Sequence, residues 1–81
     1  MSMTKYKHVR EELRALQHNI NVVVKKLKKD ELSALGVIAA RELLETMNRV
    51  KTYIQSSKDE DRVNFLISKL PLLYFQIPKI N

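Results

Sequence analysis

From Tyr6 to Leu27 the apolar residues Tyr6, Val9, Leu13, Leu16, Ile20, Val23 and Leu27 return at intervals of 3, 4, 3, 4, 3 and 4. An α-helix turns once every 3.6 residues, so this spacing gathers the side chains into one stripe along one side of a helix. Such a stripe has to be covered, either by other helices of the same chain or by a second copy pairing as a coiled coil. The run Val22-Val23-Val24 would by itself suit a strand, because β-branched side chains are stiff at χ1. The stripe continues on both sides of it, and residues 4–29 read as a helix with Ser2 or Thr4 as its cap.

Around Lys29-Asp30-Glu31 the sign of the charge reverses. Cations favour the carbonyl end of one helix and acids the amide end of the next, so this point reads as a turn with Asp30 as the next N-cap. A single helix running straight through is the alternative, since no Gly or Pro interrupts it. The second predicted helix, residues 31–55, places Leu32, Leu35, Ala39, Leu43, Met47, Val50 and Ile54 on one side, widened by Val37, Ala40 and Leu44. An arc of that width belongs to a helix with two neighbours, and Gly36 with Ala39-Ala40 allows close approach of another backbone. The polar stretch "QSSKDED", residues 55–61, reads as a loop in which Ser57 or Asp59 caps a third helix over residues 59–77. Its stripe is Val63, Leu66, Leu70, Leu73 or Tyr74, and Ile77, and Pro71 bends or restarts it by removing a backbone donor. The expected fold is all-α: one domain over residues 1–81, an antiparallel three-helix bundle whose third helix is kinked at Pro71.

At 81 residues such a domain buries only ~60–65% of the surface of its unfolded chain, so its margin of stability is thin. The absence of cysteine leaves no disulfide or thiolate chemistry and fits a cytoplasmic setting. The charged start "MSMTKYKHVR" has no apolar signal core, and no apolar run reaches the ~20 residues of a spanning helix; integral membrane association is not expected.

Catalysis finds no support. His8 and His18 are ten residues apart and lack acidic or cysteine partners at ligand spacing. Glu42 and Glu45 share a face but have no histidine at the spacing of bundle carboxylate sites. Ser56, Ser57 and Ser68 have no histidine nearby, and there is no glycine-rich phosphate loop. The sequence calls for no metal, no cofactor and no enzymatic activity.

The charge itself is the more informative signal. Eight of the 15 Lys and Arg stand in residues 1–29 beside Glu11 and Glu12, so the whole net charge of +6 belongs to the first helix. On a wheel stepping 100° per residue, Lys7, Arg10, Lys25, Lys28 and Lys29 fall within about 60° of Arg14, opposite the apolar stripe. At 1.5 Å per residue that face is roughly 33 Å long, enough to follow several phosphates of RNA or DNA without reading sequence. The plainer reading is a solvated outer face with lysines, Lys26 among them, favoured at the helix end by the dipole. A basic helix lying on anionic lipid ranks behind both. The stretch "LPLLYFQIPKI", residues 70–80, is the most apolar of the chain, and Leu72, Phe75 and Ile80 fall off the main stripe as candidates for contact with a neighbouring protein subunit.

Two stretches carry a resemblance. "RELLETMNRVKTYI", residues 41–54, followed after a polar loop by "FLISKLPLLYFQIPKI", residues 65–80, resembles the small helical subunit of type III CRISPR effector complexes. That likeness implies a non-catalytic subunit stacking with copies of itself along a guide–target duplex, and adds Arg41, Arg49, Lys51 and Lys69 to the phosphate-binding candidates. "RVNFLISKLPLLYF", residues 62–75, is also similar to the third helix of bacteriocin immunity proteins, which implies a protein-binding role instead.

Overall fold

The computed structural model describes residues 2–81, with side chains from His8 onward; Tyr6 and Lys7 thus lie outside the described side chains. Helix α1 spans Ser2–Lys28, α2 spans Ala34–Ser56 and α3 spans Glu60–Tyr74, followed by a 3-10 turn at Ile77–Lys79. No strand occurs among the described residues. The three helices pack on one another as an all-α bundle of 46 × 19 × 17 Å.

The periodic stripe of α1 forms the seam. Leu16 and Val23 are fully buried and Ile20 nearly so, with Val9, Leu13 and Leu27 packed at the margins. From α2 come Gly36, Ala40, Leu43, Met47 and Ile54, and from α3 Val63, Ile67 and Leu70. No charged or polar residue is buried among the described residues, so the interior is held mainly by apolar burial and close packing.

The turn after α1 corrects two expectations. Lys29 still donates its N–H to the carbonyl of Lys25 at 3.1 Å, and Asp30 then takes φ 56°, the left-handed conformation that ends a helix. Asp tolerates that region better than most residues because its short polar side chain bonds locally. Asp30 therefore stops α1 instead of capping α2, and the chain is not one continuous helix. The cap is Ser33: its Oγ accepts the N–H of Gly36 at 3.0 Å and its carbonyl accepts that of Val37 at 2.9 Å. Starting α2 three residues later also sets which side faces inward. Gly36 and Ala40 are buried, whereas Leu35, expected in the core, is 79% exposed and Ala39 is exposed with it.

The reason lies at the other end of the chain. The backbone carbonyl oxygen of Asn81 accepts two bonds from Ser33, from the hydroxyl at 2.8 Å and from the N–H at 3.0 Å. A Cβ on Gly36 would sit 1.7 Å from that oxygen, so the approach needs glycine. Docking the tail here drives Ile77 and Ile80 into the core at 6% and 7% exposure. Ile80 is thus a core residue of its own chain and not an exposed contact, which corrects its placement among the interface candidates.

Before α3, Asp59 caps by accepting the N–H of Arg62 at 3.1 Å, and Ser57 Oγ accepts the N–H of Asp59 at 3.0 Å. Glu60 and Asp61 in the first turn suit the positive end of the helix. The helix runs on through Pro71, whose ring lacks the N–H that Ile67 would otherwise accept, and Phe75 bonds back to the Pro71 carbonyl at 2.9 Å.

An ordinary exposed Gly→Ala change inside a helix gains about 1 kcal/mol. Gly36→Ala is expected to do the reverse, costing roughly 1–3 kcal/mol through overpacking against Asn81. Urea denaturation followed by circular dichroism measures the loss, and Ile80 amide exchange reports release of the tail.

Candidate nucleic-acid interface

Burying Leu16, Ile20 and Val23 fixes the rotation of α1, and with it the direction of its charges. Arg10, Arg14, Lys25, Lys28 and Lys29 are all exposed. At 1.5 Å per residue, Arg10 to Lys29 covers roughly 28 Å, about eight nucleotide steps of 3.4 Å along one strand. Among the described residues no carboxylate is within salt-bridge reach of these cations. Asn21 and His18 lie between them, both exposed, and supply hydrogen-bonding groups without opposing charge. Lys26 is half-buried on the flank of the helix and stands apart from the row. The last turn carries Lys25, Lys26 and Lys28 at the negative end of the helix dipole, which stabilises α1 whether or not a ligand binds.

At the far end of the face, Arg10 borders a groove of about 550 Å³ lined also by Val9, Leu13, Ile54, Ser57, Lys58 and Val63. Lys58, on the α2–α3 loop, also lines it, so the groove carries a second cation besides Arg10.

The cations added through the family resemblance do not join this row. Arg41 and Arg49 are exposed on α2, and by helical rotation both lie away from its buried stripe. Arg49 is paired with Glu45 at 3.6 Å. Lys51 is half-buried, and its ammonium donates to Oε1 of Gln17 across the α1–α2 seam; it ties two helices together. Lys69 is on α3, its ammonium 5.2 Å from the centre of the Phe65 ring. Of the apolar candidates, Leu72 and Phe75 are 62% and 65% exposed, and Lys79 lies 4.2 Å over the Phe75 ring.

No three His, Asp, Glu or Cys side chains gather in metal-binding reach among the described residues. Among the described residues no helix is long and apolar enough to cross a membrane. Sequence reasoning missed three exposed apolar residues on α2, Leu35, Ile38 and Tyr53, and one on α3, Phe65. A wheel centred on the buried residues finds all four, but the true centre depends on where each helix starts.

Tyr74 is the single orphaned polar group among the described residues: its hydroxyl is buried with no hydrogen-bond partner. Burial, and secondarily the nearby Glu12 carboxylate, push its phenol above the ordinary value of 10.0. The folded state holds this proton more tightly than the unfolded one. Its contribution is therefore complete below pH 10.0 and is lost as the pH rises above that value. Comparison with known proteins returns no match: no family model fits the chain, and no curated protein or solved structure is similar to it.

In a Tyr6→Phe, Tyr53→Phe background, ultraviolet absorbance against pH should show Tyr74 ionising late and together with loss of helicity. Tyr74→Phe removes the unpaired hydroxyl and is expected to leave stability unchanged or to raise it by up to ~1 kcal/mol.

Proposed function

We propose that this protein is a non-enzymatic helical component of a larger assembly that grips the phosphate backbone of RNA or DNA through the outer face of α1. The supporting observation is one-sidedness: Arg10, Arg14, Lys25, Lys28 and Lys29 are exposed in one row with no carboxylate paired to them among the described residues. A row of that kind exchanges condensed counterions for its own charges when it meets a polyanion, which gives affinity without base readout. Lysines dominate its carboxyl-terminal end, and lysine is a point charge that places no demand on base identity.

The architecture that presents the row is, in this reading, an up-down-up bundle with neighbouring helices antiparallel. The bond from Lys51, late in α2, to Gln17 in the middle of α1 supports that course, as does the seat of Asn81 at the start of α2. The missing donor at Pro71 bends α3 toward α2, where Leu70 and Ile77 enter the core. A subunit lying along a guide–target duplex, as the likeness to type III CRISPR small subunits implies, is the setting in which a long sequence-blind basic face is most useful. In that setting Arg41 and Arg49, on α2, serve contacts other than those of the α1 row.

Fluorescence anisotropy against a salt series tests the proposal. Five phosphate contacts give a slope of log affinity against log salt of about −4.5 on duplex. Lys25→Gln, Lys28→Gln and Lys29→Gln together make the slope shallower by about 3, and the triple change to Glu abolishes binding while circular dichroism stays unchanged. Absence of binding at low salt, or binding indifferent to these variants, overturns the proposal.

A further inference from the structure

Helix α3 is apolar on two opposite sides. Val63, Ile67 and Leu70 face the core, while Phe65, Leu72 and Phe75 stand outward at 54%, 62% and 65% exposure. The outward residues belong to a second regular series, Asp61, Phe65, Ser68, Leu72, Phe75 and Lys79, spaced 4, 3, 4, 3 and 4. Phase alone places Asp61, Phe65, Ser68 and Leu72 on one side of α3. Phe75 and Gln76 keep right-handed helical dihedrals beyond its end, and the ammonium of Lys79, 4.2 Å from the centre of the Phe75 ring, brings that residue onto the same side. The stripe thus starts with an acid, carries its rings and Leu72 within, and ends with a cation.

This order is self-complementary when read backwards. Turned end for end about a point beside Leu70, Asp61 meets Lys79 of the second copy, Phe65 meets Phe75, and Ser68 meets Leu72. Each of these pairs joins the two alternating positions of a heptad, as antiparallel helix pairs require, and a two-fold axis makes every contact twice. The charges fall where the pairing needs them, with acid facing cation at both ends of the seam. Lys69 flanks the seam near the axis, where it would approach its own copy. Its ammonium is drawn back along its own helix to lie 5.2 Å from the Phe65 ring, which takes it away from the axis.

We infer that the outer face of α3 is a homodimer interface, in which two copies pair antiparallel through Phe65, Leu72 and Phe75 with Asp61 and Lys79 fixing the direction. A bilayer would also accept two rings and a leucine beside lysines, but it has no use for Asp61 on the same face, next to Glu60 and Asp59. A second copy uses that acid. The interface is on α3 and owes nothing to the basic row of α1, so it stands or falls apart from phosphate binding.

Sedimentation over a concentration series tests the inference, with protein freed of nucleic acid by nuclease and a high-salt wash and then returned to ~0.1 M salt, where exposed charge pairs are not fully screened. The wild type should show a reversible monomer–dimer equilibrium. Phe65→Ser with Phe75→Ser, both at exposed positions, should abolish the dimer and leave helicity intact. Asp61→Lys or Lys79→Asp sets like charges together at both ends and should weaken dimerisation by roughly tenfold, since an exposed pair is worth a few-fold and occurs twice. Combining the two changes exchanges the signs and should restore it. A chain that is monomeric at every concentration overturns the inference, as does a dimer indifferent to these variants. Binding to phosphatidylserine vesicles by a protein that stays monomeric overturns it too and assigns the face to lipid.

Discussion

Leu16, Ile20 and Val23 cannot be left in water along the side of a long helix, and covering them organises the molecule. With no charged or polar residue buried among the described positions, apolar contact and shape mainly fix how the helices meet, aided at the margin by the bond from Lys51 to Gln17. That places a premium on small residues where backbones must come close. Ala40 is fully buried within α2, and Gly36 at its start leaves room for the carbonyl of Asn81. The result is a bundle whose interior is closed at one end by the tail, through two hydrogen bonds from a single serine.

The same burial determines the electrostatics. Once the stripe of α1 is committed to the core, the cations opposite it have nowhere to go but outward, and they emerge as one row. Two acids, Glu11 and Glu12, stand on α1 with these cations but form no salt bridge with Arg10, Arg14, Lys25, Lys28 or Lys29. The other acids follow α1: Asp30 and Glu31 in the turn, Glu42 and Glu45 on α2, the latter paired with Arg49, and Asp59, Glu60 and Asp61 at the start of α3. The acids at the start of α3 stabilise that helix through its dipole, so the charge asymmetry between α1 and the rest follows in part from how each helix is terminated. The lysines at the end of α1 serve the same local purpose, and a phosphate-binding row is a second use of charges that the helix already favours.

Helix α3 departs from the ordinary division between an inner apolar and an outer polar side. At 15 residues it is the shortest of the three and has the least length over which to bury surface, yet it and its C-cap leave Phe65 and Phe75 more than half exposed. Lysines placed over two of those rings shield part of that surface, since an ammonium over a ring face gains from the ring quadrupole and keeps its own contact with water.

Periodicity and charge order made much of this legible. The stripe of α1 from Val9, the exposure of Leu72 and Phe75, and the basic row from Arg10 to Lys29 follow from spacing within one helix, where each residue's direction is set by its neighbours three and four positions away. The polar composition of 55–61 located the second turn, which is narrower at 57–59, and left Ser57 or Asp59 as the cap, of which Asp59 is the one. What the sequence left undecided depends on partners distant along the chain. Asp30 could be an N-cap or a stop signal by its chemistry, and Ser33 took the capping role. Leu35 turned outward and Gly36 inward because Asn81, 45 residues beyond Gly36, occupies the space a side chain would need. Ile80 entered the core by the same docking, and Lys51 was drawn to Gln17 by the packing of α2 on α1. A helical sequence determines which residues share a face; which face is covered, and by what, is decided when the pieces meet.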